Sequence, residues 1–184
     1  MNTTPLYIFD LDGTLADLKH RRHFVEKPLC YQCSLGSWPT GQPLSCEQCR
    51  MRVLRQKWKP NWDAFHAACV NDTPIKPVIQ TLKALFYGAQ ADVWIWSGRM
   101  DTVRKQTEWW IGDHITDSDQ LEAALKMRPA GDYTPDDQLK ESWLHAMSPE
   151  DRARLVMVFD DRDRVVAMWR RNGIVCAQVA PGDF

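Results

Sequence analysis

Four short, strongly apolar segments, each followed by polar or acidic residues, constrain the fold of this chain more than any other feature. They span residues 6–10, 91–97, 154–160 and 173–180. Continuous apolar runs of this length are typical of strands buried on both faces, as in a parallel sheet. Segments with helical periodicity separate or follow them, at residues 75–88, 100–111, 134–147 and 163–173. Alternating strands and helices predict a doubly wound, Rossmann-like parallel sheet of the α/β class.

One long segment, residues 26–62, interrupts this alternation. It is rich in Pro, Gly, Cys and basic residues. We therefore expect a core built from residues 1–25 and 63–184, with residues 26–62 inserted as a small subdomain of their own. A second segment, "LEAALKMR" at residues 121–128, fits either a helix or a strand.

Composition and charge exclude several classes of protein. The net charge of −1 over 184 residues argues against a chain whose whole surface binds nucleic acid. No apolar stretch reaches the length of about 18 residues that a membrane-spanning helix needs, and the first residues lack the pattern of a signal peptide. We therefore expect a cytoplasmic protein without a membrane partner. In that compartment the six cysteines are more typical of metal ligands or buried thiols than of disulfides.

Chemically useful side chains follow three of the predicted strands. The first strand ends at Asp10 and Asp12, and the second at Ser97, Gly98 and Arg99. The third ends at three acids, which are Asp160, Asp161 and Asp163. Any one of these acids alone is explained as a solvated loop residue or a helix cap. Because ligands of open α/β sheets bind beyond the carboxyl ends of the strands, their convergence on one edge predicts a shared site.

A cluster of carboxylates needs a cation to relieve the repulsion between its members. Mg²⁺ prefers oxygen ligands and is usually held by a few carboxylates, water and a substrate phosphate. The acids therefore predict a magnesium site and a phosphorylated substrate. Arginines and a lysine in the same region would neutralise the phosphoryl oxygens.

Several sequence blocks carry a resemblance to a known family. "DLDGT" after the first strand, "SGR" after the second and "FDD" at the third resemble the haloacid dehalogenase (HAD) superfamily of phosphohydrolases. "WSGR", "MRPAGDYTPDD", "FDDRDRVVAMWRRNG" and "QVAPGDF" are similar, in this order, to the 3′-phosphatase domain of phage-type polynucleotide kinase-phosphatase. The resemblance covers most of residues 6–25 and 75–184.

This resemblance implies roles for the acids. Asp10 would be the nucleophile that forms an aspartyl-phosphate. Asp12 would protonate the leaving oxygen and then accept a proton from water. Asp161 and Asp160 would bind Mg²⁺ together with Asp10 and the backbone carbonyl of Asp12.

The resemblance also implies the groups that bind substrate. Ser97 would donate a hydrogen bond to the phosphoryl group, Arg99 would help to hold it, and Arg21 matches a required arginine. The remaining substrate-binding positions are Gly13, Thr14, Gly98 and Asp132.

Two departures from the family pattern concern a lysine and a kinase motif. The family has a lysine directly before its "DD" pair, where this chain has Pro135. Lys140, one turn into the following helix, is our candidate for the lysine that orients the nucleophile, with Lys126 as the alternative. No G-x-x-x-x-G-K-[ST] motif occurs, so we expect no kinase activity from this chain.

Four cysteines inside residues 26–62 are spaced as two C-x-x-C pairs. Cys30, Cys33, Cys46 and Cys49 in this pattern predict a structural zinc site of the ribbon or knuckle type, and unpaired thiols are the alternative. Residues 19–63 also carry nine lysines and arginines against three acids, a net charge of +6. Basic residues interleaved with tryptophans would bind a nucleic-acid strand or simply form a solvated surface. In HAD phosphatases such an insert is a cap that influences substrate choice.

These observations lead to one function and two alternatives. The favoured one is a Mg²⁺-dependent phosphomonoesterase that removes 3′-phosphate from polynucleotide ends. The first alternative is the same chemistry on nucleoside monophosphates. The second is a zinc-knuckle nucleic-acid-binding protein with a decayed phosphatase site. The sequence leaves the oligomeric state open.

Overall fold

A computed structural model describes residues 2–26, 59–116 and 119–182 of the chain. The four cysteines of the predicted zinc site lie outside the described residues. The chain divides into two compact units, one formed by Met1–Asp17 with Val70–Phe184 and the other by Leu18–Cys69.

Strands and helices alternate through the first unit. Within the described residues its strands are β1 (Leu6–Phe9), β2 (Ala16–Asp17), β3 (Thr73–Pro74), β4 (Asp92–Met100), β5 (Leu125–Arg128), β6 (Leu155–Arg162) and β7 (Cys176–Gly182). With α1 (Trp62–Ala67) in the second unit, the α-helices are α2 (Lys76–Lys83), α3 (Arg104–His114), α4 (Asp119–Ala123), α5 (Asp136–His145), α6 (Pro149–Arg154) and α7 (Asp163–Arg171). A π-helical turn, Ala84–Gly88, extends α2.

Five of the strands form one sheet in the order β5-β4-β1-β6-β7, and every neighbouring pair is parallel. β2 and β3 form a separate antiparallel pair. The prediction of a parallel α/β sheet is confirmed. The ambiguous residues 121–128 are helical at first and then strand, so that α4 ends at Ala123 and β5 begins at Leu125. Over the described residues, no helix has both the length and the apolar character needed to cross a bilayer.

Tryptophans fill the core between the sheet and helices α5 and α7. Trp96 on β4 lies 5.6 Å from Trp143 of α5 and 5.7 Å from Trp169 of α7, measured between ring centroids. All three belong to one buried cluster with Ile8 and Val158 of the central strands. Because large aromatic rings bury much apolar area, this packing fixes α5 firmly against the sheet. That matters for function because α5 carries Lys140.

The second unit contains a 3₁₀ turn, Lys19–Phe24, and helix α1. Asn61 caps α1 by accepting a hydrogen bond from the Ala64 amide at 3.0 Å. The buried Arg21 guanidinium lies 4.1 Å from the centre of the Phe65 ring and donates to the Phe65 carbonyl at 3.2 Å. Arg21 therefore contributes to the packing of this unit.

Candidate active site

Three buried acids meet at the carboxyl ends of the two central strands. Asp10 directly follows β1, and Asp160 and Asp161 lie at the end of β6. The Asp10 amide donates to the Phe159 carbonyl at 2.9 Å, which continues the β1–β6 pairing to the edge of the sheet. One carboxylate oxygen from each acid lies within 4.8 Å of the others. The structure thus brings together three of the five acids at the predicted strand ends. Asp12 pairs with Arg99 instead, and Asp163 begins α7, where it accepts a hydrogen bond from Gln178.

Lys140 reaches this acidic cluster from the second turn of α5. Its Nζ lies 2.5 Å from Asp10 Oδ1 and 2.9 Å from Asp160 Oδ2, and it is almost fully buried. Burial tends to lower the pKa of Lys140, but the charges of Asp10, Asp160 and Asp136 outweigh it and raise that pKa well above its usual range. Lys140 is therefore a permanent cation beside Asp10.

Lys126, the alternative lysine, has a different environment. Its Nζ lies 5.2 Å from the ring centres of both Trp96 and Trp143. Such contacts are cation–π interactions with the core tryptophans. The structure thus brings Lys140, and not Lys126, to the acidic cluster.

The acidic cluster carries more negative charge than one lysine neutralises. Burial raises the pKa of Asp10 well above its usual range; Lys140 opposes this, and the charges of Asp160 and Asp161 add to it. Burial and then the charge of Asp160 raise the pKa of Asp161 to about 7. Carboxyl groups in such a position ionise readily when another cation shares the site. Oxygen-only donors at this spacing fit a hard divalent cation, which Asp10 and Asp161 would hold.

Asp12 lies beside a buried arginine rather than in the acidic cluster. Arg99 Nε and Nη2 donate to Asp12 Oδ1 at 2.8 and 2.6 Å. Arg99 Nη2 also donates to Asp72 Oδ2 at 2.5 Å, and Nη1 donates to the Thr107 hydroxyl at 3.4 Å. The resemblance implies that Arg99 helps to hold substrate phosphate, and in this structure its guanidinium joins two carboxylates.

Nothing in the sequence singled out Asp72. It lies in the polar turn just before β3, outside any strand end or motif. Its carboxylate is buried against Arg99, and its carbonyl accepts a hydrogen bond from Trp110 Nε1 at 2.8 Å. An acid between Asn71 and Thr73 carries no sequence signal of a functional site.

Two glycines allow close approach of other groups. Gly13 has a φ of +93°, and a Cβ at this position would overlap the Asp161 carboxylate. Gly98 has no such backbone constraint, but a Cβ there would lie 2.5 Å from Asp136 Oδ1. Both positions therefore require the absence of a side chain.

The remaining predicted residues occupy four environments. Thr14 donates to Asp161 Oδ1 at 3.3 Å, which places it beside the acidic cluster. Ser97 is fully buried, and its Oγ accepts a hydrogen bond from the Arg99 amide at 3.2 Å. Asp132 lies in the loop after β5, where its carboxylate accepts a hydrogen bond from the Thr134 amide at 2.8 Å. Hydrogen bonds from Thr134 lower the pKa of Asp132. Arg21 belongs to the second unit.

Residues 57–184 match the family model of the polynucleotide kinase PNKP phosphatase domain. The chain belongs to this family. It is a HAD phosphatase, and hence a phosphoric monoester hydrolase. The matched residues include the ends of β4 and β6 and the helix that carries Lys140.

Among solved structures, the PNKP-family phosphatase is similar to a chain in the Pnkp1/Rnl/Hen1 RNA repair complex. The identity is 27% and the TM-score 0.63, and the match covers 100% of this chain and 45% of that one. A second structure of the Pnkp1/Rnl/Hen1 complex matches with 27% identity, a TM-score of 0.64 and 49% coverage of that chain. The chain thus spans about half the length of these two neighbours.

More distant neighbours share the fold alone. The class C acid phosphatase from Bacillus anthracis is 13% identical, with a TM-score of 0.52 over 100% of this chain and 68% of that one. The haloacid dehalogenase-like protein SP0104 from Streptococcus pneumoniae is 14% identical, with a TM-score of 0.52 over 97% of this chain and 85% of that one.

Proposed function

We propose that this phosphatase removes the 3′-phosphate from polynucleotide ends, using Asp10 as the nucleophile and Mg²⁺ as the metal. The observation that carries the proposal is the position of Asp10, whose carboxylate lies between the Lys140 ammonium and the other acids of the cluster. A carboxylate held in this way is oriented by the ammonium and lies next to a site for a cation, which would keep it ionised and would also bind phosphate.

In the first step, an oxygen of Asp10 attacks phosphorus while the bond from phosphorus to the ester oxygen breaks. Asp12 donates a proton to the leaving oxygen, which departs as the 3′-hydroxyl. In the second step, water attacks phosphorus and passes a proton to Asp12 as the bond to Asp10 breaks. Inorganic phosphate leaves, and both acids return to their starting states.

The Arg99–Asp72 pair makes the proton exchange at Asp12 feasible. Because the Asp72 carboxylate already compensates the buried Arg99 charge, a neutral Asp12 does not leave a buried cation unpaired. Both hydrogen bonds from Arg99 end on Asp12 Oδ1. In this proposal Asp12 exchanges the proton with the leaving group.

Asp10 and Asp161 would hold Mg²⁺, with the Asp12 carbonyl as a further ligand and Asp160 orienting Lys140. When bound, Mg²⁺ neutralises charge between the nucleophile and the phosphate. Asp160 is the weaker candidate ligand because Lys140 Nζ and Trp169 Nε1 donate to its Oδ2 and the Arg162 amide donates to its Oδ1.

Three observations support a polynucleotide substrate. The family is that of a polynucleotide kinase phosphatase domain, and the neighbours at 27% identity come from an RNA repair complex. The net charge of +6 over residues 19–63 is also of the sign that a nucleic-acid strand requires. Arg21, within this basic stretch, would contact the substrate.

The experiment that tests this function compares phosphate release from four substrates in the presence of Mg²⁺. These are an oligonucleotide with a 3′-phosphate, the same oligonucleotide with a 5′-phosphate, and a 3′- and a 5′-nucleoside monophosphate. We expect the highest kcat/KM for the 3′-phosphorylated oligonucleotide, and loss of turnover with EDTA and in Asp10→Asn. A preference for mononucleotides would make the protein a nucleotidase instead.

The zinc site is the second part of this proposal. Cys30, Cys33, Cys46 and Cys49 would bind one Zn²⁺ that holds the insert together, since four thiolates leave no open position for catalysis. Elemental analysis should find one zinc per chain and none in Cys46→Ser. An equal zinc content in Cys46→Ser would refute the four-thiolate site.

A further inference from the structure

The loop between β5 and α5, residues 129–135, lies at the same edge of the sheet as the acidic cluster. It follows the carboxyl end of β5, which pairs in parallel with β4. The Arg128 side chain joins this loop to the active site, because its Nε donates to the Gly98 carbonyl at 2.9 Å. Gly98 lies between Ser97 and Arg99.

Hydrogen bonds from Arg128 and to Asp101 hold this loop in one conformation. Arg128 Nη1 donates to the carbonyls of Thr134 and Asp132 at 2.6 and 3.3 Å, and its Nη2 donates to Asp136 Oδ1 at 2.8 Å. The Ala130 amide donates to Asp101 Oδ1 at 2.9 Å. The loop is therefore a preformed part of the active-site edge.

Tyr133 projects from this fixed loop with most of its surface exposed. Its exposed fraction, 76%, is the highest among the large hydrophobic side chains that the structure describes. Its backbone neighbours, in contrast, are anchored on both sides, through the Asp132 and Thr134 carbonyls. An aromatic ring on a fixed backbone loses little conformational entropy when it binds a ligand.

We propose that Tyr133 stacks on a nucleobase of the polynucleotide strand whose terminal phosphate is bound at Asp10. This inference rests on the proposed function. Stacking on an aromatic ring tolerates any base, which suits an enzyme that acts on ends of varied sequence. Tyr133 thereby contributes to the choice of a polynucleotide over a small phosphomonoester, and takes no part in the chemical step.

The test uses Tyr133→Ala and Tyr133→Phe, with Trp109→Ala as the matched control. Trp109 is also an exposed aromatic, with an exposed fraction of 59%, but it lies on helix α3. The substrates are a 3′-phosphorylated oligonucleotide and glycerol phosphate, which has no ring to stack. The affinity for the dephosphorylated oligonucleotide, measured by fluorescence anisotropy, supplies a readout that does not depend on turnover.

We expect Tyr133→Ala to raise KM for the oligonucleotide, and the Kd of the dephosphorylated strand, by about tenfold. Its turnover of glycerol phosphate should match that of the wild type. Tyr133→Phe and Trp109→Ala should stay within about twofold of the wild type, since the first keeps the stacking ring and the second lies elsewhere.

Two results would overturn the inference in distinguishable ways. If the wild type prefers the oligonucleotide and Tyr133→Ala has the same KM and Kd as the wild type, the stacking role is wrong and the proposed function stands. If the wild type hydrolyses glycerol phosphate but not the oligonucleotide, the proposed substrate is wrong and the stacking role falls with it.

Discussion

Asp12 and Asp72 bind the same guanidinium, that of Arg99, at 2.6 and 2.5 Å from its Nη2 atom. Asp12 follows β1 and Asp72 precedes β3, so this arrangement joins two segments that are 60 residues apart in sequence. Both Arg99 and Asp72 have fully buried side chains, whereas Asp12 keeps a side-chain exposed fraction of 20%. The carboxylate that reaches solvent is therefore the one expected to exchange protons.

Asp72→Asn should lower kcat by about a hundredfold with little change in KM, because it removes the charge that compensates Arg99. Asp12 would then be the sole carboxylate that pairs with Arg99 in the described structure and would resist protonation. Steady-state kinetics on a 3′-phosphorylated oligonucleotide measure both constants.

Asp92→Asn is the matched control for this prediction. Asp92 also pairs with an arginine, Arg154, but at the opposite end of β4 and with a partly exposed side chain. The kcat of Asp92→Asn should equal that of the wild type. An Asp72→Asn enzyme that melts at a lower temperature but keeps its kcat would show that Asp72 has a structural role alone.

Lys140→Ala should reduce kcat by at least about a hundredfold, because the nucleophile loses its cation inside a buried site. Lys126→Ala should leave kcat unchanged and reduce stability by about 1 kcal/mol through lost cation–π contacts with Trp96 and Trp143. Turnover of glycerol phosphate by both variants, at a temperature where melting curves show them folded, decides between the two lysines. Wild-type turnover in Lys140→Ala would contradict the proposed site.

The acidic cluster could be predicted from sequence because parallel topology alone brings the ends of neighbouring strands together. The positions of Asp10 and Asp161 follow as soon as β1 and β6 are assigned as central strands. Strand β5 was harder to predict, because the sequence "LEAAL" favours a helix. In addition, the four residues of β5 alternate apolar and basic side chains. Sheet pairing with β4 decides its conformation, and such pairing is not encoded locally.

Side-chain partners were less predictable than side-chain positions. Arg99 follows a strand end as expected, but its partner is chosen by which buried acids lie within reach in the folded chain. Asp72 is that acid, and its position depends on the packing of the segment before α2 against α3, where Trp110 holds its carbonyl. No spacing rule connects residues 72 and 99.

Asp136→Asn should lower the free energy of unfolding by about 2 kcal/mol at pH 7. Asp136 accepts hydrogen bonds from Arg128 and Arg162, at 2.8 and 3.3 Å. Burial tends to raise the pKa of Asp136, but the positive charges of Lys140, Arg162 and Arg128 outweigh it and lower that pKa in the folded state. The stabilisation is therefore present above the unfolded-state pKa of about 4 and is lost as the pH falls through the folded-state value.

Urea unfolding at pH 7 and at pH 3 measures the difference in the free energy of unfolding between Asp136→Asn and the wild type. This difference should be smaller at pH 3. Glu108→Gln is the control, because Glu108 forms a partly exposed ion pair with Arg104 within one helix. This substitution should change the free energy of unfolding by less than about 0.5 kcal/mol. A larger difference in the free energy of unfolding at pH 3 than at pH 7 would contradict a stabilising role of the ionised Asp136.

Gly13→Ala should impair both folding and catalysis, because a methyl group there overlaps the Asp161 carboxylate and the backbone has a φ of +93°. Gly173 separates the two causes. It has a φ of +74°, but a Cβ added to it meets nothing within 4 Å. Gly173→Ala should therefore cost about 1 kcal/mol of stability through backbone strain and keep its kcat.

In Gly13→Ala the displaced Asp161 should lower kcat by about a hundredfold. The measurement is phosphate release at saturating Mg²⁺, below the melting temperature of both variants. Equal kcat in the two variants would mean that the position of Asp161 does not limit turnover.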